Sequence, residues 1–136
     1  MRLPSPGRRL RWTAVLVVAV AILAASVAPP GPDTGEPFVL LGVAGDKWLH
    51  AAAYAGLAAT AGWAVFLDRP VPRALVLAVC LSAGYGVAME VVQAPLPARQ
   101  FDVADMLANA VGAVVAAVGM WVLVGTVEES DSADRD

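Results

Sequence analysis

Four long apolar runs, separated by breaks that carry proline and charge, constrain this chain more than any other feature. They are Leu10–Ala28, Trp48–Leu67, Ala74–Val92 and Asp105–Val127. At ~1.5 Å per residue, a helix of about 20 residues covers the ~30 Å of hydrocarbon in a bilayer. The first break, Pro29–Lys47, holds Pro29, Pro30, Pro32 and Pro37. The second, Asp68–Arg73, holds Pro70 and Pro72, and the third, Gln93–Ala104, holds Pro95 and Pro97. Proline lacks an amide donor and crowds the preceding turn, so it ends helices. In lipid every backbone polar group must be satisfied within the protein, and no alternating barrel pattern is present. The expected fold is therefore all-α: a polytopic membrane protein with a bundle of four transmembrane helices.

Composition agrees. Hydrophobic residues make up 59% and charged residues 15% of the 136 positions, with a mean hydropathy of +0.69. A soluble domain of this size needs more polar surface to cover its core. No basic stripe with interleaved aromatics is present, so a nucleic-acid partner is not expected. The lone Cys80 has no internal disulfide partner and reads as a small residue in an apolar run. Residues 1–9 form a basic N-terminus, and Glu128–Asp136 an acidic tail expected to be disordered. Arg8, Arg9 and Arg11, the apolar run and Ser26-Val27-Ala28 also have the form of a signal peptide with a small-residue cleavage site. The length of the run and Pro29 just after Ala28 favour a retained helix. Positive charge orients the bundle: Arg2, Arg8, Arg9, Arg11, Arg69 and Arg73 fall on one side and only Lys47 and Arg99 on the other. Both termini are then expected in the cytoplasm of a multi-pass protein of the cell membrane. Gly56, Gly62, Gly84, Gly86, Gly112 and Gly119 suit close helix packing in lipid.

The informative residues are the polar ones in or beside the runs. Asp46 and Lys47 precede the second helix, and His50 and Tyr54 follow on one face, four residues apart. Glu90 and Gln93 share a face near the end of the third. Arg99, Asp102, Asp105 and Asn109 surround the start of the fourth. With the orientation above, all three groups converge at the extracytoplasmic side. Singly, most have structural roles available. Asp46, Asp102 and Asp105 suit helix N-termini, Lys47 and Arg99 suit interfacial anchors, and Trp48 and Tyr54 suit an aromatic belt. Glu90 is different. A carboxylate inside an apolar run costs up to ~2.5–3.5 kcal/mol at the bilayer centre and needs a partner; His50, Lys47 and Arg99 are the available ones. His50 is the only histidine, and so the only side chain with an unperturbed pKa near neutral. His50 with several carboxylates could hold a divalent cation, but Lys47 and Arg99 in the same cluster argue for an anionic ligand. No metal and no cofactor is expected.

The string Asp46-Lys47-x-x-His50-x-x-x-Tyr54, then Glu90-x-x-Gln93, then Arg99-x-x-x-x-x-Asp105-x-x-x-Asn109-x-x-Gly112 resembles the VanZ-like family. The match runs from Asp46 to Gly112. It departs at Ala51, where an aromatic often follows the histidine; at Gln100, where a serine often follows the arginine; and at Ala116, in place of a glycine. The resemblance implies a small four-helix membrane domain over residues 10–127. It also implies a link to the cell envelope, because the family's named member is associated with resistance to the glycopeptide teicoplanin.

Three functions fit these residues. In the first, an outer pocket binds or modifies an anionic lipid or cell-envelope precursor, with Lys47 and Arg99 on its phosphate or carboxylate. Asp46, Tyr54, Gln93, Asp102 and Asn109 complete that ligand-binding set. In the second, a membrane-embedded enzyme uses His50 as base or nucleophile, with Glu90 or Asp105 orienting or protonating, against a phospholipid or polyprenyl-phosphate headgroup. In the third, the polar residues form a lock between helices. A transporter fits least, because four helices without an evident broken pair leave little room for a pathway. The sequence does not fix the oligomeric state.

Overall fold

A computed structural model describes residues 6–29, 38–97 and 101–133, with side chains through residue 126. It contains four helices, α1 (Arg8–Val27), α2 (Gly45–Phe66), α3 (Val71–Gln93) and α4 (Val103–Ala133), and each has a stretch long and apolar enough to cross a membrane. The helices run up and down, so the end of α1, the start of α2, the end of α3 and the start of α4 share one end of the bundle. Helix α2 touches the other three and packs most extensively on α4.

Boundaries differ from expectation where local chemistry extends a helix. α3 begins at Val71 because Pro72 sits in its first turn, where its missing amide has no intrahelical partner to lose. α4 begins at Val103, capped by Asp102. It continues to Ala133, through much of the tail expected to be disordered, since Val127–Ala133 contains no proline or glycine to end it. Residues 134–136 of that tail lie outside the described residues. The first connection, expected to be a loop, contains a small antiparallel hairpin pairing Val39–Leu40 (β1) with Val43–Ala44 (β2). Leu41 and Gly42 turn it with φ of 53° and 76°, both positive as a two-residue hairpin of this hand requires.

The packing is inverted relative to a soluble protein. The largest side chains with under 2% exposure are Glu90, Asn109 and Ser82, while Leu16, Leu81, Leu107, Val115, Trp121 and Leu123 are exposed. Small residues line the helix contacts: Ala58, Ala61 and Ala64 of α2, Ala74 and Ala78 of α3, and Ala113 of α4 are all buried. The glycines divide into two sets. A Cβ on Gly112 would strike the Ala51 carbonyl, and one on Gly86 would come within 2.9 Å of Asn109 and 3.1 Å of Tyr54. On Gly62 it would meet only the flexible end of Met120, and Gly56, Gly84 and Gly119 face open space. Close approach is thus a property of Gly86 and Gly112 above all.

The end of the bundle opposite the polar cluster has its own clamp. Arg11 is buried and donates to the Ala64 carbonyl (2.6 Å) and to Asp68 (3.2 and 3.3 Å). The Ala64 carbonyl lies in the last turn of α2, where helix carbonyls lack intrahelical partners and attract cations. Arg11, counted in sequence toward the basic bias that orients the bundle, also ties α1 to α2.

These contacts rank the glycines experimentally. Gly112→Ala should destabilise by about 1–3 kcal/mol or more, because backbone rather than side chain must yield. Gly84→Ala should be neutral or stabilising by up to ~1 kcal/mol through helix propensity. Thermal unfolding of the purified variants checks the order; equal midpoints would contradict the close α2–α4 approach.

Candidate functional site

At the shared end, α2, α3 and α4 bring most of the expected polar residues together. Lys47, in the first turn of α2, donates to Asp102 (2.5 Å) and Asp105 (2.7 Å) and pairs with Asp46 at 3.1 Å. Its ammonium has three N–H donors, and three carboxylates surround it. Lys47 is therefore committed within the protein and is not a free cation waiting for an anion. Asp46 is more than half exposed.

Asp102 joins three helices. Its Oδ1 accepts the Ala104 amide at 2.8 Å, the geometry of an N-cap, while Oδ2 receives Lys47. Its own amide donates to Glu90 Oε2 at 3.0 Å. Lys47 and the Ala104 amide hold the Asp102 carboxyl below its ordinary value of 3.8, with the lysine the larger cause.

One turn deeper lies the second part of the cluster. His50 Nδ1 faces Asn109 Oδ1 at 3.0 Å, a contact that the neutral ring makes as a donor in the tautomer with its proton on Nδ1. His50 Nε2 is then the basic nitrogen, and it faces Asp105 Oδ2 at 3.6 Å. Glu90, 1% exposed, comes from α3 to the same place: one ligand atom each of His50, Glu90 and Asp105 lie within 4.8 Å of one another. Glu90 Oε1 and Asn109 Nδ2 are buried and have no hydrogen-bond partner among the described residues. The His50 ring stacks on that of Tyr54, the centroids 6.5 Å apart and the planes 3° apart. Tyr54 walls the floor of the cluster and packs toward Tyr85.

The structure thus assembles Asp46, Lys47, His50, Tyr54, Glu90, Asp102, Asp105 and Asn109. It does not bring Gln93 in: Gln93 is buried and donates to the Ser26 carbonyl of α1 at 3.2 Å. Arg99 lies outside the described residues. Among the described residues, the partner of Glu90 is neither His50 nor Lys47 but the backbone amide of Asp102, which no residue pattern reveals. Ser82 and Tyr85 were also missed. Ser82 donates to the Tyr54 carbonyl (2.8 Å) and Tyr85 to the Ala19 carbonyl (2.7 Å), so each holds a neighbouring helix. Their only signal was a polar residue in an apolar run, which any small helix can carry.

Chemically, the cluster offers a basic imidazole nitrogen, two carboxylates and a bound ammonium, with four carboxyl groups to one lysine. It can take up a proton or a cation, or orient a polar headgroup against the imidazole. Comparison with family models, curated proteins and solved structures finds no match to this chain.

Asp102 gives a pH test. A carboxyl depressed on folding lends stability that is complete above its ordinary value and is lost as pH falls through the folded one. The thermal midpoint should therefore fall as pH drops below 3.8, and Asp102→Asn should have a lower midpoint at pH 7 and a flatter acid limb. An unchanged acid limb in the variant would rule Asp102 out as a contributor.

Proposed function

We propose that this chain is an integral membrane protein of the VanZ-like type. It crosses the bilayer four times with both termini cytoplasmic, and its pocket at the extracytoplasmic face binds the headgroup of an anionic lipid or cell-envelope precursor. Three lines support this. The four helices are long and apolar enough to span, and their outward faces carry large apolar side chains while polar ones are buried between them. Lipid, unlike water, accepts such an exterior without cost. The bias of basic residues places the polar end outside. The residues that carry the VanZ-like resemblance, Gln93 and Arg99 apart, are the ones that meet in space.

The observation that carries a functional rather than a structural role is the pair of unpartnered atoms, Glu90 Oε1 and Asn109 Nδ2. Each buried polar atom left open costs about 1–3 kcal/mol; among the described residues, the structural clamp at the far end leaves a single one, Arg11 Nε, whereas here two fall in one cluster. An apolar groove lined by Phe38, Ala44, Gly45, Asp46, Trp48 and Leu49 meets the rim of the cluster at Asp46, which pairs with Lys47. An apolar groove that shares a residue with a polar cluster suits an amphiphile, its headgroup toward the cluster and its chain along the groove. Lys47 is committed to carboxylates, so it orders the site, and Arg99 keeps the anion contact proposed for it. The basic Nε2 of His50, oriented through Nδ1, favours the enzyme as the second function: a base that activates water or a hydroxyl against the same headgroup.

In nanodiscs containing phosphatidylglycerol, native mass spectrometry should show lipid retained by the wild type and lost from His50→Ala and Glu90→Gln, with melting temperatures little changed. Equal retention with lowered melting temperatures would return the cluster to a lock. Turnover of a labelled polyprenyl phosphate or phospholipid that disappears in His50→Ala would decide for the enzyme. A reporter fused after Asp136 should read as cytoplasmic.

A further inference from the structure

The atoms of the deeper cluster divide in an orderly way. Each of its three titratable residues has one atom tied to the scaffold and one left over. His50 uses Nδ1 on Asn109 and leaves Nε2. Asp105 uses Oδ1 on Lys47 and leaves Oδ2, which faces that Nε2 at 3.6 Å. Glu90 uses Oε2 on the Asp102 amide and leaves Oε1, buried and without a partner among the described residues.

We infer that His50, Glu90 and Asp105 form a binding site for a divalent transition-metal ion such as Zn²⁺ or Mn²⁺. One ligand atom from each of the three residues lies within 4.8 Å of those of the other two, close to the spacing of donors around a cation with bonds of ~2.0–2.6 Å. Asn109 supplies what a metal-binding histidine ordinarily has: an acceptor on the far ring nitrogen that fixes the tautomer and aims the other nitrogen at the ion. The Lys47 contact orders Asp105 in the same way, and the Asp102 amide orders Glu90. One imidazole and two carboxylates favour a borderline divalent ion over a soft one, and the imidazole disfavours magnesium and calcium, which prefer oxygen throughout.

The charge balance points the same way. The described cluster sets the carboxyls of Asp46, Glu90, Asp102 and Asp105 against the single ammonium of Lys47, and the ion pairs of Lys47 are with Asp46, Asp102 and Asp105. The sequence placed Lys47 as a reason to expect an anion and no metal. In the structure that lysine neutralises the rim and leaves Glu90 for a cation. Three protein ligands also leave coordination positions open, as in metal sites that act on a ligand rather than merely hold a fold. A phosphate oxygen of a headgroup would fill one. That last use rests on the function proposed above; the metal site itself does not.

The test uses the full chain in nanodiscs of phosphatidylcholine alone, stripped with a chelator, equilibrated with Zn²⁺ or Mn²⁺ and desalted. Elemental analysis should give about one ion per wild-type chain. His50→Ala, Glu90→Gln and Asp105→Asn should each weaken binding by more than about 100-fold, and Asn109→Ala by about 10–100-fold, the usual effect of losing an orienting partner. Cys80→Ser should retain the ion, which excludes adventitious binding at the exposed thiol. Mn²⁺ resonance spectra of the wild type give a second reading that does not depend on the folding of any variant: bound-state lines should appear on loading and vanish on chelation. A wild type that retains no ion, or carboxylate variants that bind as tightly as the wild type, overturns the inference. Adding phosphatidylglycerol separates the two proposals. Lipid retained only by the loaded protein supports both. An ion bound without any lipid preference keeps the metal site and removes the headgroup. Lipid retained equally by stripped protein keeps the headgroup and removes the metal from its recognition.

Discussion

The contact between Gly112 of α4 and the Ala51 carbonyl of α2 governs the rest of the molecule. Backbone meets backbone there with no side chain between, so the two axes lie as close as helices can. His50 stands next to Ala51, and Asn109 and Asp105 lie one and two turns from Gly112. The separation that brings His50 Nδ1 to 3.0 Å from Asn109 is therefore set by a missing Cβ. Gly86 performs the matching task for α3, letting Tyr54 and Asn109 press against its backbone so that Glu90, four residues on, enters the same space.

Above that contact, Asp102 converts proximity into connection. It caps α4, holds Lys47 of α2 and donates to Glu90 of α3. Three helices are thereby joined at one residue, and each bond is anchored in backbone or in a charged group. Neutral side-chain pairs alone contribute modestly in lipid, at about 0.6 kcal/mol on average. A charge-assisted node is the stronger device. At the far end Arg11 does for α1 and α2 what Asp102 does here, so α1 is fastened at both ends, by Arg11 and through Gln93 and Ser26.

Much of this was legible in the residues. Helix number and approximate limits followed from hydropathy and proline, and the meeting of His50, Glu90, Asp105 and Asn109 followed from spacing plus up-and-down connectivity. What escaped depended on backbone. The partner of Glu90 is the Asp102 amide, the partner of Gln93 is the Ser26 carbonyl, and the partner of Arg11 includes the Ala64 carbonyl. Every residue has those groups, so no side-chain pattern announces which one is used. The role of Lys47 escaped for another reason. Sequence shows that it lies near an acidic set, but only coordinates show that three carboxylates take its three donors at once.

The hairpin before α2 bears on where the site sits. Its tip residue Leu41 is 84% exposed, and Phe38, Val39 and Leu40 are exposed beside it, while Trp48 ties the hairpin to α2 through the Leu40 carbonyl at 3.2 Å. In a bilayer such a surface floats at the boundary between headgroups and hydrocarbon, where apolar side chains and tryptophan rest together. The hairpin is then a buoy moored to the first turns of α2. His50 lies five residues past the start of that helix, about 7.5 Å along its axis, so in the bilayer arrangement proposed above the buoy would set the draught of the imidazole.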